Sequence, residues 1–330
     1  MAGNTSVTRT YNRIFSIVRD EVQPLLFDNI STRTALLYRL KDMGAIIRTG
    51  GKPHLRFNIL KELPTTEAYT DLGIISPVRA DPVTSGIFEW KQLQCPVQIS
   101  GLDMIKTGEG AEIDLLEMFI QSAEISMREA IGGSTVGIFS DGDEDTLTKI
   151  TGLQNFFGTS TTTGTVGRLS RVTLSSWRHQ SGNVAGTFDS TGLNVMTTLY
   201  RQCSRFDESP DSIVLTGAAW DNYIKETTRS FTVNMPITAG NEAMVEAGFP
   251  NVRFFGALLF ADDGCPANRG YFLNLAKYIR LMVREGRDAE IGDFIKSREY
   301  DDLVTFVLWA GNLITTNLAR GGVLLNADTY

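Results

Sequence analysis

Asp141, Asp143 and Asp145 alternate along one short stretch, and alternating carboxylates are how a loop gathers oxygen ligands around calcium. They match the first three ligand positions of a helix-flanked calcium loop. The match then lapses, because the sharp-turn position holds Thr146 instead of glycine and the bidentate position holds Gly152 instead of glutamate. A solvated acidic turn is the simpler reading, and the sequence leaves open whether these carboxylates take up a cation. Gly158 to Gly164 has the outline of a phosphate-cradling loop, but it is too long and no lysine follows its second glycine. It reads as a surface loop.

His54 and His179 are far apart in the chain. A hydrolytic triad needs a histidine beside a nucleophile and an orienting carboxylate, and no Gly-x-Ser-x-Gly elbow is present to supply the serine. Trp90, Trp177, Trp220 and Trp309 fall on separate segments without interleaved basic residues, so they read as core or interface anchors rather than a stacking platform for bases. Cys95, Cys203 and Cys265 are odd in number and outside any Cys-x-x-Cys spacing, which argues against a disulfide framework or a zinc site. The sequence thus nominates no catalytic, cofactor or metal site. In a chain of 330 residues, that directs the reading to a structural or assembly role rather than an enzyme.

Composition agrees with an ordinary folded protein, at 42% hydrophobic and 21% charged residues. Thirty-one Lys and Arg against 38 Asp and Glu give a net charge of -7 without any basic run, which excludes a strong sequence-independent grip on nucleic acid. Such a chain can still enclose DNA without holding it. The longest apolar run, Leu303 to Ala310, is far too short to span a bilayer, and Met1 to Asp20 has no apolar core of the signal-peptide kind. Synthesis and folding in the cytoplasm, with no membrane partner, are the expectation.

The elements that must position these residues are organised around Gly108 to Gly133. Ile113, Leu116, Ile120, Ala123, Met127, Ala130 and Ile131 recur at three- and four-residue steps and predict one long amphipathic helix, with Glu124 and Arg128 paired one turn apart. Acidic residues load its start, and Gly132 and Gly133 end it. Before it, Tyr11 to Val22 gives a short helical stripe, and Ser31 caps a second short helix that Gly44 stops. His54 to Leu60 and Ile87 to Ile99 alternate as strands and predict a long two-stranded projection, with Pro96 at an edge or bulge. After it, a short strand is expected at Val136 to Phe139. Phe156, Phe157, Leu169 and Trp177 anchor a Gly/Thr/Ser-rich stretch, and helices at Leu193 to Phe206 and Ala218 to Thr227 flank a strand at Ser212 to Thr216. Val252 to Phe260, Tyr271 to Leu275, Lys277 to Val283 and Leu303 to Leu313 read as strands, the last of them central.

Local sequence is informative in this order. Thr151-Gly152-Leu153 follows the long helix, Thr165-Val166-Gly167 leads to Trp177-Arg178, and Pro210 to Thr216 precedes the Trp220 helix. Gly270 to Asn274, Lys277-Tyr278-Ile279 and Gly311-Asn312-Leu313 come last. The chain resembles the major capsid proteins of tailed bacteriophages, the Hong-Kong-97-like fold shared with encapsulins. Arg168 departs from that pattern, because the resemblance leads one to expect another glycine there.

The resemblance implies an α+β subunit with an N-terminal arm (1–50), an extended β-hairpin loop (51–101), a peripheral domain (102–149 and 276–330) and an axial domain (150–275). It implies a homo-oligomer that closes through pentamers and hexamers into an icosahedral shell, a virion component made in the host cytoplasm that encloses double-stranded DNA without sequence-specific binding. A separate scaffolding protein is expected, since the residues ahead of Ser31 are too few for a fused one, together with portal and decoration proteins. No lysine of the projection, whether Lys52, Lys61 or Lys91, is fixed by a motif that would carry over the lysine–asparagine cross-link of some relatives. The charges of the projection, Arg56, Glu62, Glu67, Asp71 and Arg79, are the expected assembly contacts, because the element is too thin to have its own core. An encapsulin-like compartment shell and an oligomeric α/β enzyme with a site between subunits are the alternatives.

Overall fold

The computed structural model describes residues 34–61, 66, 68, 82–101, 111–230, 252–296 and 301–330. The helical stripe expected at Tyr11 to Val22 lies outside them. Helix α1 (Ala35–Asp42) leads to strands β1 (Ile46–Thr49), β2 (Leu55–Leu60), β3 (Val83–Phe88) and β4 (Lys91–Ser100), then to the long helix α2 (Ala111–Gly132). One helical turn at Leu153–Phe156 and the short strands β5 (Thr165–Val166), β6 (Leu169–Ser170) and β7 (Gln180–Asn183) precede helix α3 (Phe188–Cys203), β8 (Ser212–Leu215) and helix α4 (Gly217–Ser230). The chain ends in β9 (Val252–Phe254), β10 (Ala257–Ala261), β11 (Arg269–Leu273), β12 (Ile279–Arg284), β13 (Glu290–Ile291), β14 (Ile295–Lys296), β15 (Asp302–Thr315) and β16 (Gly322–Leu325).

Strand β15 is rich in Val, Leu, Ile, Phe and Trp and is buried along most of its length, as a central strand must be. One side pairs antiparallel with β4 from Asp302↔Ser100 to Gly311↔Lys91. Its other side carries β12, β13 and β14 in turn, and β1 adds to β12 in parallel. The second sheet runs β7-β16-β11-β8-β10-β9. Its member β16 brings the end of the chain across from the first sheet, so residues 322–325 pair with β11 and β7 instead of staying beside β15. One apolar cluster joins the two sheets, with Val214, Phe260, Tyr271 and Val323 of the second packed against Trp309 and Leu313 of the first, and another cluster, holding Met196, Leu199, Ile213 and Leu259, lies between the second sheet and helices α3 and α4.

Helix α2 lies against β4 and buries Ile120, Ala123, Met127 and Ile131, the stripe that the spacing predicts. Gly132 sits where a Cβ would meet the Thr34 side chain at 2.5 Å, so the end of α2 presses on the start of α1. The Glu124–Arg128 pair does not form. Arg128 instead lines a small cavity between the end of α2 and the 261–264 turn, with its Nη1 buried.

Several boundaries differ from the sequence reading. Helix α1 begins after Thr34 rather than at Ser31, although Gly44 stops it at φ +64° as expected. The predicted strand Ile87–Ile99 is broken at Glu89 and Trp90. Only its first part pairs with β2, and the rest belongs to the central sheet as β4. Period-two alternation is the same for a hairpin and for a sheet edge, so it cannot tell them apart. Among the described residues β4 pairs only with β15, which suits Pro96. Val136 to Phe139 is a turn, though Ile138 and Phe139 are fully buried. Helix α3 starts at Phe188, ahead of the predicted Leu193, and includes Gly192, where a Cβ would meet the Phe188 ring at 2.6 Å. Val252–Phe260 is a hairpin turning at Phe255 and Gly256, both at positive φ.

Candidate functional site

The acidic turn is filled from within the chain. Lys91 shares the alternation of Leu93, Cys95, Val97 and Ile99, and this register turns its side chain into the protein, where it is 1% exposed. Its Nζ donates to the carbonyl oxygens of Asp143, Glu144 and Thr146 at 2.9, 3.0 and 2.8 Å. The Asp141 and Asp143 carboxylates have other partners. Asp143 accepts from the Thr146 amide and hydroxyl, and mainly the hydroxyl contact holds its pKa below the ordinary value. Asp141 accepts from Lys149 at 2.7 Å, which lowers its pKa as well. Glu144 is buried and accepts from the Gly167 amide at 2.7 Å, and burial pushes its pKa up. Burial also lowers the Lys91 pKa, against the pull of Glu144 and Asp143. Among the described residues no cluster of metal-ligating side chains is present.

The phosphate-loop look-alike has the same construction. Arg171 is 2% exposed and its guanidinium fills the loop. Its Nη2 donates to the carbonyls of Asn155 and Phe156, the latter at 2.7 Å, and its Nη1 reaches the Thr163 and Ser160 carbonyls at 3.3 and 3.5 Å. Burial brings its pKa down to about 10. Both ligand-like loops therefore close on cations of the chain itself. The legible signal was Lys91 on the apolar face of β4, where a lysine must find oxygen partners.

Each histidine has a partner within the chain. His54 Nδ1 lies 2.7 Å from Glu89, whose other oxygen accepts from Arg168 at 2.9 Å. His179 is buried with its Nε2 2.8 Å from the Gly158 carbonyl, and burial, then Arg171, pushes it down to about 4. Cys95, Cys203 and Cys265 are free and buried. No helix among the described residues is long and apolar enough to cross a membrane.

The projection is docked by aromatics at its base. Phe57 of β2 stacks on Phe88 of β3 at 5.5 Å and lies 6.2 Å from Trp177, and Phe88 meets the edge of Phe156 at 5.8 Å. Trp177 donates to the Val166 carbonyl at 3.1 Å, and Trp90 to the Lys52 carbonyl at 2.8 Å. Arg56 is exposed on β2. Glu62, Glu67, Asp71 and Arg79 lie outside the described residues.

A spine helix across a central, largely antiparallel sheet, a hairpin projecting from one side and a second sheet carrying two helices define the Hong-Kong-97-like fold of tailed-phage capsid subunits. No protein-family model matches the chain, and no curated protein sequence matches it. Solved structures do. The cyanophage A-1(L) capsid asymmetric unit aligns with TM-score 0.65 at 17% identity, over 91% of this chain and 94% of that one. A capsid of an empty GTA particle aligns with TM-score 0.57 at 11% identity, over 89% and 90%. The holo-SrpI encapsulin complex from Synechococcus elongatus PCC 7942 aligns with TM-score 0.52 at 12% identity, over 90% and 89%.

Proposed function

We propose that this chain is the major capsid protein of a tailed bacteriophage, a structural subunit that closes by self-association into an icosahedral shell around double-stranded DNA. The observation that carries this reading is the match to the cyanophage A-1(L) capsid asymmetric unit over 91% of this chain and 94% of that one. On this reading the arm spans residues 1–50 and the extended loop 51–101, and the peripheral and axial domains divide near 149 and 276. Strand β16, inside the stretch this reading gives to the peripheral domain, pairs with β7 and β11 in the second sheet. Pentamers and hexamers form the shell, and a separate scaffolding protein, a portal and decoration proteins act with it in the virion. Each contact between subunits is weak alone, and closure makes the sum effectively irreversible, because losing one subunit breaks several interfaces together.

Arg56, Glu62, Glu67, Asp71 and Arg79 are assembly contacts in this proposal. The test is negative-stain microscopy with light scattering on the purified chain, alone and with its scaffold. Shells or capsomer rings support the reading, and DNA content separates a phage head from a protein-filled compartment. A homogeneous monomer, dimer or tetramer under both conditions defeats it.

A further inference from the structure

A cleft of about 990 Å³ opens beside the root of the hairpin. Lys61, Arg178, Arg205 and Arg320 border it, and no carboxylate does among the described residues. Each comes from a different part of the chain: Lys61 follows β2, Arg178 lies between β6 and β7, Arg205 follows α3 and Arg320 precedes β16. Glu208 offsets part of this charge from outside the lining, 3.5 Å from Arg320, but it also pairs with Lys277 at 3.2 Å. Arg320 Nε is buried and has no hydrogen-bond partner among the described residues. The cleft is thus positive in a protein whose net charge is -7.

The lining is also prepared to donate. Arg178 is held in place, donating to the Arg171 and Val172 carbonyls at 2.9 and 3.3 Å, so little side-chain freedom is left for it to lose on binding. The Gly158–Gly164 loop, which Arg171 fills from within, contributes Thr161 and Thr162 to the cleft. Such a lining recognises a compact polyanion. Nucleic acid is gripped along a stripe of cations on a basic protein, and this chain has neither a basic run nor a positive net charge. A short chain of linked phosphates fits better, because tetrahedral phosphates present oxygens on all sides and can meet cations arriving from four segments. Arginine forks match those oxygens, and sites for small molecules typically span about 300–1,000 Å³.

We propose that the cleft binds a free oligophosphate, either inorganic polyphosphate or the triphosphate of a nucleotide. Bound there, it would join the hairpin, through Lys61, to Arg205 and Arg320 of the second sheet's lobe and brace the root of the projection. Binding is a property of the single chain and does not depend on shell formation.

Calorimetric titration of the full-length chain with inorganic tripolyphosphate at fixed ionic strength is the test. Saturable binding of one anion per chain is expected. Lys61→Gln with Arg205→Gln should weaken it by about tenfold or more, since two charge-assisted contacts are lost. Arg201→Gln with Arg284→Gln removes the same charge at exposed positions outside the lining and should change it by less than about twofold. If the first pair fails to fold, Arg205→Gln alone, at an exposed position, carries the comparison. ATP binding tighter than tripolyphosphate would identify the nucleotide as the source, and equal binding the phosphate chain alone; either supports the site. Lack of saturable binding overturns the proposal, as does equal weakening by both pairs, which would mean diffuse attraction. Orthophosphate binding as tightly as tripolyphosphate also overturns it. Short single-stranded DNA that displaces tripolyphosphate at equal phosphate concentration would assign the cleft to nucleic acid and overturn it too.

Discussion

The Lys91 ammonium donates to the Glu144 backbone carbonyl at 3.0 Å, while the Glu144 carboxyl turns the other way to take the Gly167 amide at 2.7 Å. The two residues thus hold the turn after α2 from opposite sides, one by its backbone and one by its side chain. Through Gly167, which donates to Glu144, and through the Ile87 amide, which donates to the Gly167 carbonyl at 3.0 Å, the same turn reaches the hairpin. A buried cation ties the spine helix's exit to the root of the projection.

Lys91→Met removes the ammonium and leaves three carbonyls facing an apolar side chain. Each orphaned buried acceptor costs about 1–3 kcal/mol, so a loss of several kcal/mol is expected in urea unfolding. Arginine should not rescue it, because a planar fork does not fit a site shaped for a compact ammonium. Calcium should leave the Tm of the wild-type protein unchanged, since a native-state site would raise it by mass action.

Two buried groups set opposing pH dependences. Burial pushes the Asp262 carboxyl up to about 6 although it accepts from the Leu36 and Gly264 amides, and it pushes the His179 imidazole down to about 4. For Asp262 the folded pKa is above the unfolded one, so its contribution is fullest below pH 4 and is lost as pH rises through 6. For His179 the folded pKa is below the unfolded one, so its contribution is full above pH 6.5 and is lost as pH falls through 4. Each window is worth about 3 kcal/mol, and the two nearly cancel between them. Asp262→Asn should therefore lose stability relative to wild type as pH falls from 6 to 4, and His179→Gln should lose it as pH rises over the same range. Unfolding free energies at several pH values decide this, and parallel profiles for all three proteins would refute it.

Arg168 holds φ +60° beside Gly167 at +61°, so the backbone keeps a glycine-like conformation where the side chain is arginine. A non-glycine residue there costs about 1–2 kcal/mol, while its exposed pair with Glu89 returns under about 1 kcal/mol. Arg168→Gly is expected to stabilise the fold slightly, by up to about 1 kcal/mol, measured as a higher urea midpoint. Arg168→Ala should not, because it gives up the pair and keeps the strain.

The long elements were legible because their burial is periodic along the chain itself. Ile120, Ala123, Met127 and Ile131 announce α2, and the apolar run from Leu303 announces β15. What stayed hidden depends on partners remote in sequence. Nothing local tells that Gln92 to Ser100 pairs with residues 302–310 rather than with β2, or that 322–325 crosses to the second sheet. The acidic turn and the glycine loop read as a solvated turn and a surface loop, because spacing shows only which residues lie near each other along the chain. It does not show that Lys91 and Arg171, from other elements, arrive to fill them. The Phe255–Gly256 turn was missed for a different reason, since a bulky residue at positive φ runs against turn preference.

The docking of the hairpin should rest on Phe88, which is fully buried between Phe57 and Phe156. Phe88→Ala opens a cavity against Phe57, Phe156 and the Gly167 turn, and loss of a buried phenylalanine of this kind costs about 3–5 kcal/mol. Gly86→Ala attacks the same joint by the opposite means, because its Cβ would fall 2.5 Å from the Phe57 ring. If the joint positions the projection for assembly, both variants should lower the urea midpoint and also reduce shell yield at temperatures where the subunit remains folded. Ile59→Ala, opposite Thr84 and four positions along β2 from the Leu55 that faces Phe88, removes partly buried area toward the other end of the strand pair. It should lower the midpoint with a smaller effect on yield. Equal loss of yield from all three at matched stability would mean that assembly follows overall stability, and that the aromatic joint has no positioning role.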